Sequence, residues 1–267
     1  MQDLLFFYAN LTKGTFIMLK LKPVIAATIL LAMSFSLCSC KKANATQPSI
    51  TGPFLSMYDY PAIEDGETVT LEGYVQDKEL LWNKTESESS CSFYIQTDVG
   101  AAYVYDANIS PETYDAMTEG VLVRVQGTKT TWSGLPEITN ALVEVVGGSP
   151  YSAPYLEIKS DEIPSSYLNA RVTATGKVTK LDSGNIIEYG YNNQGGRGDN
   201  ISFLVTLSDG NKTVSVPCEV DTHLVASTSA VYASAESITA GNVIAVNGVL
   251  SVRGDAYFIR VTDISVS

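Results

Sequence analysis

The residues best suited to holding a ligand are two tryptophans and a group of tyrosines. Trp82 and Trp132 are the only tryptophans in the chain. An indole offers a flat apolar surface on which a sugar or a base can stack, and for a base this is worth roughly 1–3 kcal/mol. Polar and apolar residues alternate over 92–97 and 101–106, which predicts two strands. This alternation places four further candidates on one face: Tyr94, Gln96, Tyr103 and Tyr105.

These six side chains form the predicted ligand-binding surface, which would suit a sugar or an extended peptide. The opposite face of the same two strands carries Phe93, Ile95 and Val104. The alternative is that both indoles cap the ends of folded domains or pack between domains, because tryptophan is highly buried on average.

No set of catalytic residues emerges from the sequence. The one histidine, His223, stands in the segment EVDTH with no serine or thiol motif around it. The acidic pairs Glu86/Glu88 and Asp161/Glu162 fall in predicted loops, and no calcium-binding loop motif is present. We therefore expect no enzyme, no metal site and no cofactor.

Two cysteines, Cys91 and Cys218, fall on predicted strands in different halves of the chain. An exported chain can oxidise such a pair to a disulfide. The geometry of a bridge cannot be judged from sequence, so a disulfide and two separately buried thiols both stay open.

The N-terminal region predicts export and a lipid anchor. Lys20 and Lys22 precede a mostly apolar run over 24–37, which is shorter than the roughly 20 residues that span a bilayer but is typical of a signal peptide. The run ends in Leu37-Cys38-Ser39-Cys40, which resembles the lipobox of bacterial lipoproteins. The resemblance implies that the Cys40 thiol is diacylglycerated and that the chain is cut before it. The alternative is a secretory signal with an incidental cysteine.

The region before the folded body is thereby divided in two. We expect an N-terminal extension and signal peptide over 1–39, and the lipidated cysteine with a polar tether over 40–65. Lys41 follows the cysteine and no acidic run is present. By the same resemblance, this favours attachment to the outer membrane on its periplasmic side.

The body contains an internal repeat. The pattern V-T-x-x-G-x-V occurs at 69–75 and again at 172–178, and the pair Gly120 and Gly127 corresponds to Gly241 and Gly248. A conserved order of patterns with length changes confined to loops is typical of a duplicated domain.

The sequence of each half predicts three strands, a short helix and a two-stranded hairpin. The helix signal is Ser110-Pro111-Glu112, with Gly120 closing it. This order resembles the OB-fold. It predicts an all-β protein of tandem five-stranded OB-fold-like Greek-key barrels: the first over 66–146, a linker over 147–167 and the second over 168–267. By the same resemblance, the loops that carry Trp82 and Trp132 flank the face where OB-folds bind oligonucleotides or oligosaccharides.

The charge balance then ranks the candidate ligands. The chain has 17 Lys and Arg against 29 Asp and Glu, a formal net charge of −12, whereas binding to phosphates needs clustered cations. We therefore predict a membrane-anchored, non-catalytic periplasmic module that binds an oligosaccharide or an extended peptide on the first barrel. The alternative is an assembly scaffold that contacts other envelope proteins. Nucleic acid is ranked last and is not expected as a partner.

Overall fold

The first half of the body folds into six strands and one α-helix in the computed structural model, which describes residues 49–191 and 197–266. The elements are β1 (Thr68–Lys78), β2 (Trp82–Asn83), β3 (Ser89–Gln96), β4 (Ala101–Asn108), α1 (Pro111–Ala116), β5 (Leu122–Trp132) and β6 (Leu135–Val145). Five of the strands close a barrel in the order β1-β3-β4-β6-β5-β1, and β2 lies outside it against β3. The pairings are antiparallel except that between β4 and β6.

The second barrel repeats this arrangement. Its elements are β7 (Leu156–Glu157), β8 (Arg171–Thr179), β9 (Ile187–Tyr191), β10 (Arg197–Ser208), β11 (Thr213–Val220), α2 (Ala230–Ser237), β12 (Val243–Arg253) and β13 (Ala256–Val266). The closed order is β8-β10-β11-β13-β12-β8, again with one parallel pair, β11 with β13. The prediction of an all-β fold with tandem OB-fold-like barrels is confirmed.

The repeated sequence patterns occupy matching places in the two barrels. In β1, alternate residues Val69, Leu71 and Val75 are buried in the first core, as a strand with one inward face requires. A Cβ at Gly127 would lie 2.6 Å from Cγ2 of Ile138, and a Cβ at Gly248 would meet the carbonyl oxygen of Arg260. Both glycines lie at an irregularity in the strand register, so the shared spacing marks a bulge that only glycine fits.

The predicted helix begins where the sequence signal lies. The Ser110 hydroxyl accepts a hydrogen bond from the Thr113 backbone N–H at 3.2 Å, and Pro111 is the first helical residue. Gly120 has φ +81° at the turn into β5, a left-handed conformation that favours glycine.

The expected tether differs from the structure in its described part. Ile50, Met57 and Tyr60 are buried, and the last two belong to the first core. The Ile50 N–H also donates to Glu144 at 2.8 Å. The chain is therefore packed on the first barrel from residue 50 onward. Removing these apolar side chains from water is favourable in free energy. Cys40 and the predicted signal peptide lie outside the described residues.

The predicted linker runs along both barrels. The Tyr151 carbonyl accepts from the side chain of Gln76, whose Oε1 accepts from the Ala153 N–H at 2.8 Å. Further along, Leu156–Glu157 pairs in parallel with β8 of the second barrel. Within 49–191 and 197–266, no helix has the length and apolar character that crossing a membrane requires.

Candidate functional site

A cleft of about 510 Å³ opens where the two barrels meet. Residues of the first barrel that line it include Glu79, Leu80, Trp82, Tyr103, Tyr105, Trp132 and Glu137. Residues of the second barrel that line it include Asp221, His223, Val252, Arg253, Phe258 and Arg260. Its size falls in the range of pockets that hold small ligands.

Both tryptophans line this cleft and are exposed. Trp82 lies in β2, which pairs with β3, and its exposed fraction is 66%. Trp132 ends β5 opposite Leu135 in the β5–β6 hairpin, and it is 64% exposed. Leu80 and Tyr105, also exposed, line the same cleft. The two indoles are therefore not buried at a barrel end or between domains. A solvent-facing aromatic patch of this kind is typical of a binding site.

The four other predicted site residues divide into two pairs. Tyr103 and Tyr105 line the cleft with ring centroids 6.3 Å apart, whereas Tyr94 and Gln96 do not line it. Tyr94 is fully buried and stacks on Tyr103 at 4.6 Å. The alternation in the sequence does place these residues on the outer face of the first barrel, but the second barrel covers much of that face.

The contact between the barrels explains this burial. Tyr94, Tyr103 and Leu135 of the first barrel form an apolar cluster with Val249 and Val252 of β12. Gln96 lies in the same contact, where its Oε1 accepts from the Arg171 backbone N–H at 3.0 Å. Tyr94 and Gln96 therefore hold the barrels together and offer no surface to a ligand.

Arg260 of β13 joins the barrels by a buried network of hydrogen bonds. Its guanidinium donates to the Tyr94 hydroxyl at 2.7 Å and to the Glu79 carboxylate at 2.7 Å, both in the first barrel. It also donates to Asp221 of its own barrel at 2.6 Å. The Tyr103 hydroxyl completes the network by donating to Glu79 at 2.9 Å. A buried guanidinium with this many acceptors fixes the floor of the cleft, because its donors have fixed directions.

The pKa values in this network follow from burial and charge. Burial raises the pKa of Tyr94 to about 12, and the Arg260 charge only partly offsets the effect. Burial alone would raise the pKa of Asp221. The Arg260 charge and the hydrogen bonds from His223 outweigh it, so the pKa of this carboxyl lies below its usual value. The tyrosine is thus neutral and the aspartate is charged at neutral pH.

Arg171 of β8 makes a second polar connection between the barrels. Its guanidinium donates to Asp77 at 3.0 Å, to Glu119 at 2.6 Å and to the Gln76 carbonyl at 3.1 Å. All three acceptors belong to the first barrel, and the arginine side chain is only 6% exposed. Two arginines of the second barrel therefore bind carboxylates of the first.

Two cations lie beside the aromatic patch. Lys84 Nζ is 5.8 Å from the centroid of the Trp82 ring and 2.6 Å from an Asp106 oxygen. Arg253 lines the cleft, contacts Glu219 at 3.2 Å and keeps its side chain 58% exposed. Lys84 can turn toward an anionic ligand, because both members of its ion pair are about one-third exposed and such a pair is weak. Arg253 reaches solvent, although its partner Glu219 is buried.

The remaining chemistry of the described residues is sparse. Cys91 and Cys218 are free, buried thiols that belong to the separate cores of the two barrels. They form no disulfide with each other, so the alternative of two separately buried thiols is the one that the structure has. His223 contacts Asp221 at 3.0 Å and its side chain is 79% exposed. In 49–191 and 197–266, no group of histidine, cysteine or carboxylate side chains is arranged to hold a metal ion.

Sequence reasoning missed Arg260, although a signal was present. Arg260 stands between Ile259 and Val261, which are both buried, in the segment FIRV. An arginine within an apolar strand is seldom buried without a partner, so this pattern could have indicated a buried ion pair. Its partners could not have been named, because Glu79 and Tyr94 lie in the other half of the chain.

No family model and no curated protein matches this chain, whereas solved structures resemble it. The small single-stranded DNA-binding protein from Streptomyces coelicolor is 17% identical with a TM-score of 0.27, over 36% of this chain and 90% of that one. A deletion mutant of the single-stranded DNA-binding protein from Thermus aquaticus is 12% identical with a TM-score of 0.29, over 76% of this chain and 95% of that one. A murine DNA-binding protein bound to double-stranded DNA is 11% identical with a TM-score of 0.35, over 74% and 97%. These likenesses show the fold alone.

The comparison contradicts the predicted function and partners. The three similar proteins are all named for binding DNA, whereas we ranked nucleic acid last and did not expect it as a partner. The prediction of an oligosaccharide or peptide module, with an envelope scaffold as its alternative, is therefore wrong. That prediction rested on the net charge of the whole chain, whereas base stacking on exposed aromatic rings needs few cations.

Proposed function

We propose that this chain binds single-stranded nucleic acid, without catalysis, by stacking bases on Trp82 and Trp132. The observation that carries the proposal is the pair of exposed indoles that line one cleft, beside the exposed Tyr105. Every base has an apolar face that stacks on an aromatic ring. A single strand suits the cleft because its bases can be splayed out, whereas the bases of a duplex are stacked on one another.

The charges near the cleft support binding through bases more than through phosphates. Lys84 and Arg253 are the exposed cations beside the aromatic patch, and each already contacts a carboxylate. An acidic chain gains little from counterion release. The affinity therefore rests on stacking.

The test is the affinity of the purified chain for a labelled single-stranded DNA dodecamer, measured by fluorescence anisotropy. We expect Trp82→Ala and Trp132→Ala each to weaken binding by roughly 5- to 150-fold, which corresponds to the loss of one stacked base. The matched control is Tyr58→Ala, since Tyr58 is 76% exposed and does not line the cleft. Its affinity should equal that of the unaltered chain.

Two results would overturn this proposal. One is the absence of any binding to single-stranded DNA or RNA by the unaltered chain. The other is binding that both tryptophan variants retain in full, which would place the contact elsewhere on the surface.

We also propose that the chain is an exported lipoprotein whose anchor is Cys40. The proposal is supported by the basic residues, the apolar run and the cysteine at the end of that run. Metabolic labelling with radioactive palmitate tests it, with Cys40→Ser expected to abolish incorporation and Cys38→Ser expected to retain it. Equal labelling of both variants would contradict the assignment.

A further inference from the structure

Glu137 differs from the other carboxylates that line the cleft. Glu79 and Asp221 are bound to Arg260, and Asp106 is bound to Lys84. Glu137 has no ion pair among the described residues. The hydrogen bond that its carboxylate receives there comes from the Thr130 hydroxyl at 3.4 Å, at Oε1.

The position of Glu137 in the hairpin explains why it faces the cleft. It lies two residues after Leu135 on β6, so both side chains leave the same face of the strand. Its cross-strand neighbours are Thr130 on β5 and Tyr103 on β4, and Tyr103 also lines the cleft. The Glu137 carboxylate thus sits beside the aromatic patch while the residue is only 7% exposed.

A carboxylate so placed needs a hydrogen-bond donor. A buried polar group without partners is unfavourable, and the penalty is greater for a charged one. In agreement with this, burial raises the pKa of Glu137, and only the Thr130 hydroxyl acts in the opposite direction. A ligand that brings an N–H group into the cleft would supply the missing partner.

The bases differ in whether they can supply this donor. Cytosine and adenine carry exocyclic amino groups, and guanine carries one at N2, whereas thymine presents the carbonyl O4 where cytosine presents its amino group. A carboxylate accepts from the cytosine amino group and repels the thymine carbonyl.

We propose that Glu137 makes the cleft selective for bases that carry an amino group, and above all for cytosine over thymine. This inference rests on the proposed function, since it assumes that bases enter the cleft. A hydrogen bond to a charged acceptor is strong enough that the preference should be roughly ten- to a hundredfold.

The experiment compares the affinities of the full chain for labelled dC and dT dodecamers above neutral pH. We expect the unaltered chain to bind the dC strand more tightly, and Glu137→Gln to reduce the ratio to about twofold or less, because an amide can donate to thymine as well as accept from cytosine. The control is Glu64→Gln, since Glu64 is exposed and does not line the cleft. It should keep the ratio of the unaltered chain. A purely structural role of Glu137 would weaken both affinities together and leave this ratio unchanged.

Each result has a distinct meaning. Binding of both strands with equal affinity by the unaltered chain would overturn the selectivity and leave the proposed function standing. A dC preference that survives in Glu137→Gln would also overturn the assignment to this residue. Absence of binding to either strand would overturn the proposed function and this inference together.

Discussion

Replacement of Arg260 by alanine should loosen the contact between the barrels. The guanidinium binds Glu79 and Tyr94 of the first barrel and Asp221 of the second. Its removal leaves two carboxylates facing each other in a site where the side chains of Glu79 and Asp221 are only 15% and 13% exposed. Each would keep a smaller set of partners, namely the Tyr103 hydroxyl for Glu79, and the His223 backbone N–H and imidazole for Asp221.

The expected loss of stability is large. Breaking a buried ion pair by removing one partner costs about 3–5 kcal/mol, because the remaining charge is buried without compensation. For a unit of this size the corresponding fall in melting temperature is roughly 6–20 °C. The matched control is Arg124→Ala, since Arg124 contacts Glu72 at a similar distance of 2.9 Å but both side chains are about one-third exposed. An exposed pair contributes only about 0.2–1 kcal/mol.

The pH dependence gives the reasoning a second check. In the unaltered chain the pKa of Asp221 is held below its usual value, so this carboxyl stabilises the fold above its unfolded pKa. That contribution is lost as the pH falls through the lowered value. Without Arg260, burial should instead raise the pKa of Asp221 and make its charged form unfavourable. The destabilisation by Arg260→Ala should therefore be smaller at about pH 4, near the usual carboxyl pKa, than at about pH 7.

The assay is urea unfolding followed by circular dichroism at both pH values, for the unaltered chain, Arg260→Ala and Arg124→Ala. A loss of less than about 1 kcal/mol for Arg260→Ala, equal to that of the control, would refute the reasoning. So would a loss that is as large at the lower pH as at the higher one.

Two further predictions concern binding and packing. If only Lys84 and Arg253 neutralise phosphates, the logarithm of the association constant should fall with the logarithm of salt concentration at a slope of about −1.4; a slope several times steeper in an anisotropy titration would show that more cations take part. A Cβ at Gly127 would lie within 2.7 Å of Ile138 and Thr139 atoms, so Gly127→Ala should destabilise the chain by roughly 1–3 kcal/mol in urea. A Cβ at Gly190 would lie 3.6 Å from the Cβ of Asn200, so Gly190→Ala should leave the free energy of unfolding nearly unchanged. Equal losses of stability in the two variants would contradict this explanation from packing.

The barrels could be predicted from sequence because their signals are local. The strand that carries Val69, Leu71 and Val75 alternates with a period of two, and its pattern recurs 103 residues later with a glycine at the matching position. Ser110 and Pro111 likewise give the start of α1 within a few residues. Such patterns depend only on the geometry of one strand or one helix end.

The cleft could be predicted only in part because it depends on how the barrels dock. The alternation over 92–97 and 101–106 correctly separates Phe93 and Ile95 from Tyr94, but it does not show that Val249 and Val252 cover the tyrosine. Trp82 and Trp132, in β2 and at the end of β5, stay exposed and line the cleft. The roles of Arg260 and Glu137 depend on which carboxylates form an ion pair. The pairing follows from contacts between residues that are distant in sequence, such as Arg260 and Glu79.

The cleft is divided between the two copies of the repeat: the first supplies both indoles, and the second supplies Arg253 and Arg260. A single barrel could form such a cleft only by pairing with a second chain, and that pair would separate on dilution. Joining the two barrels in one chain makes this encounter intramolecular, at an effective concentration that for short linkers reaches roughly the millimolar range. Because the two walls of the cleft are encoded by separate parts of the chain, the residues of one wall can change without changing the other. The two barrels differ in this way, since both tryptophans lie in the first barrel and none in the second.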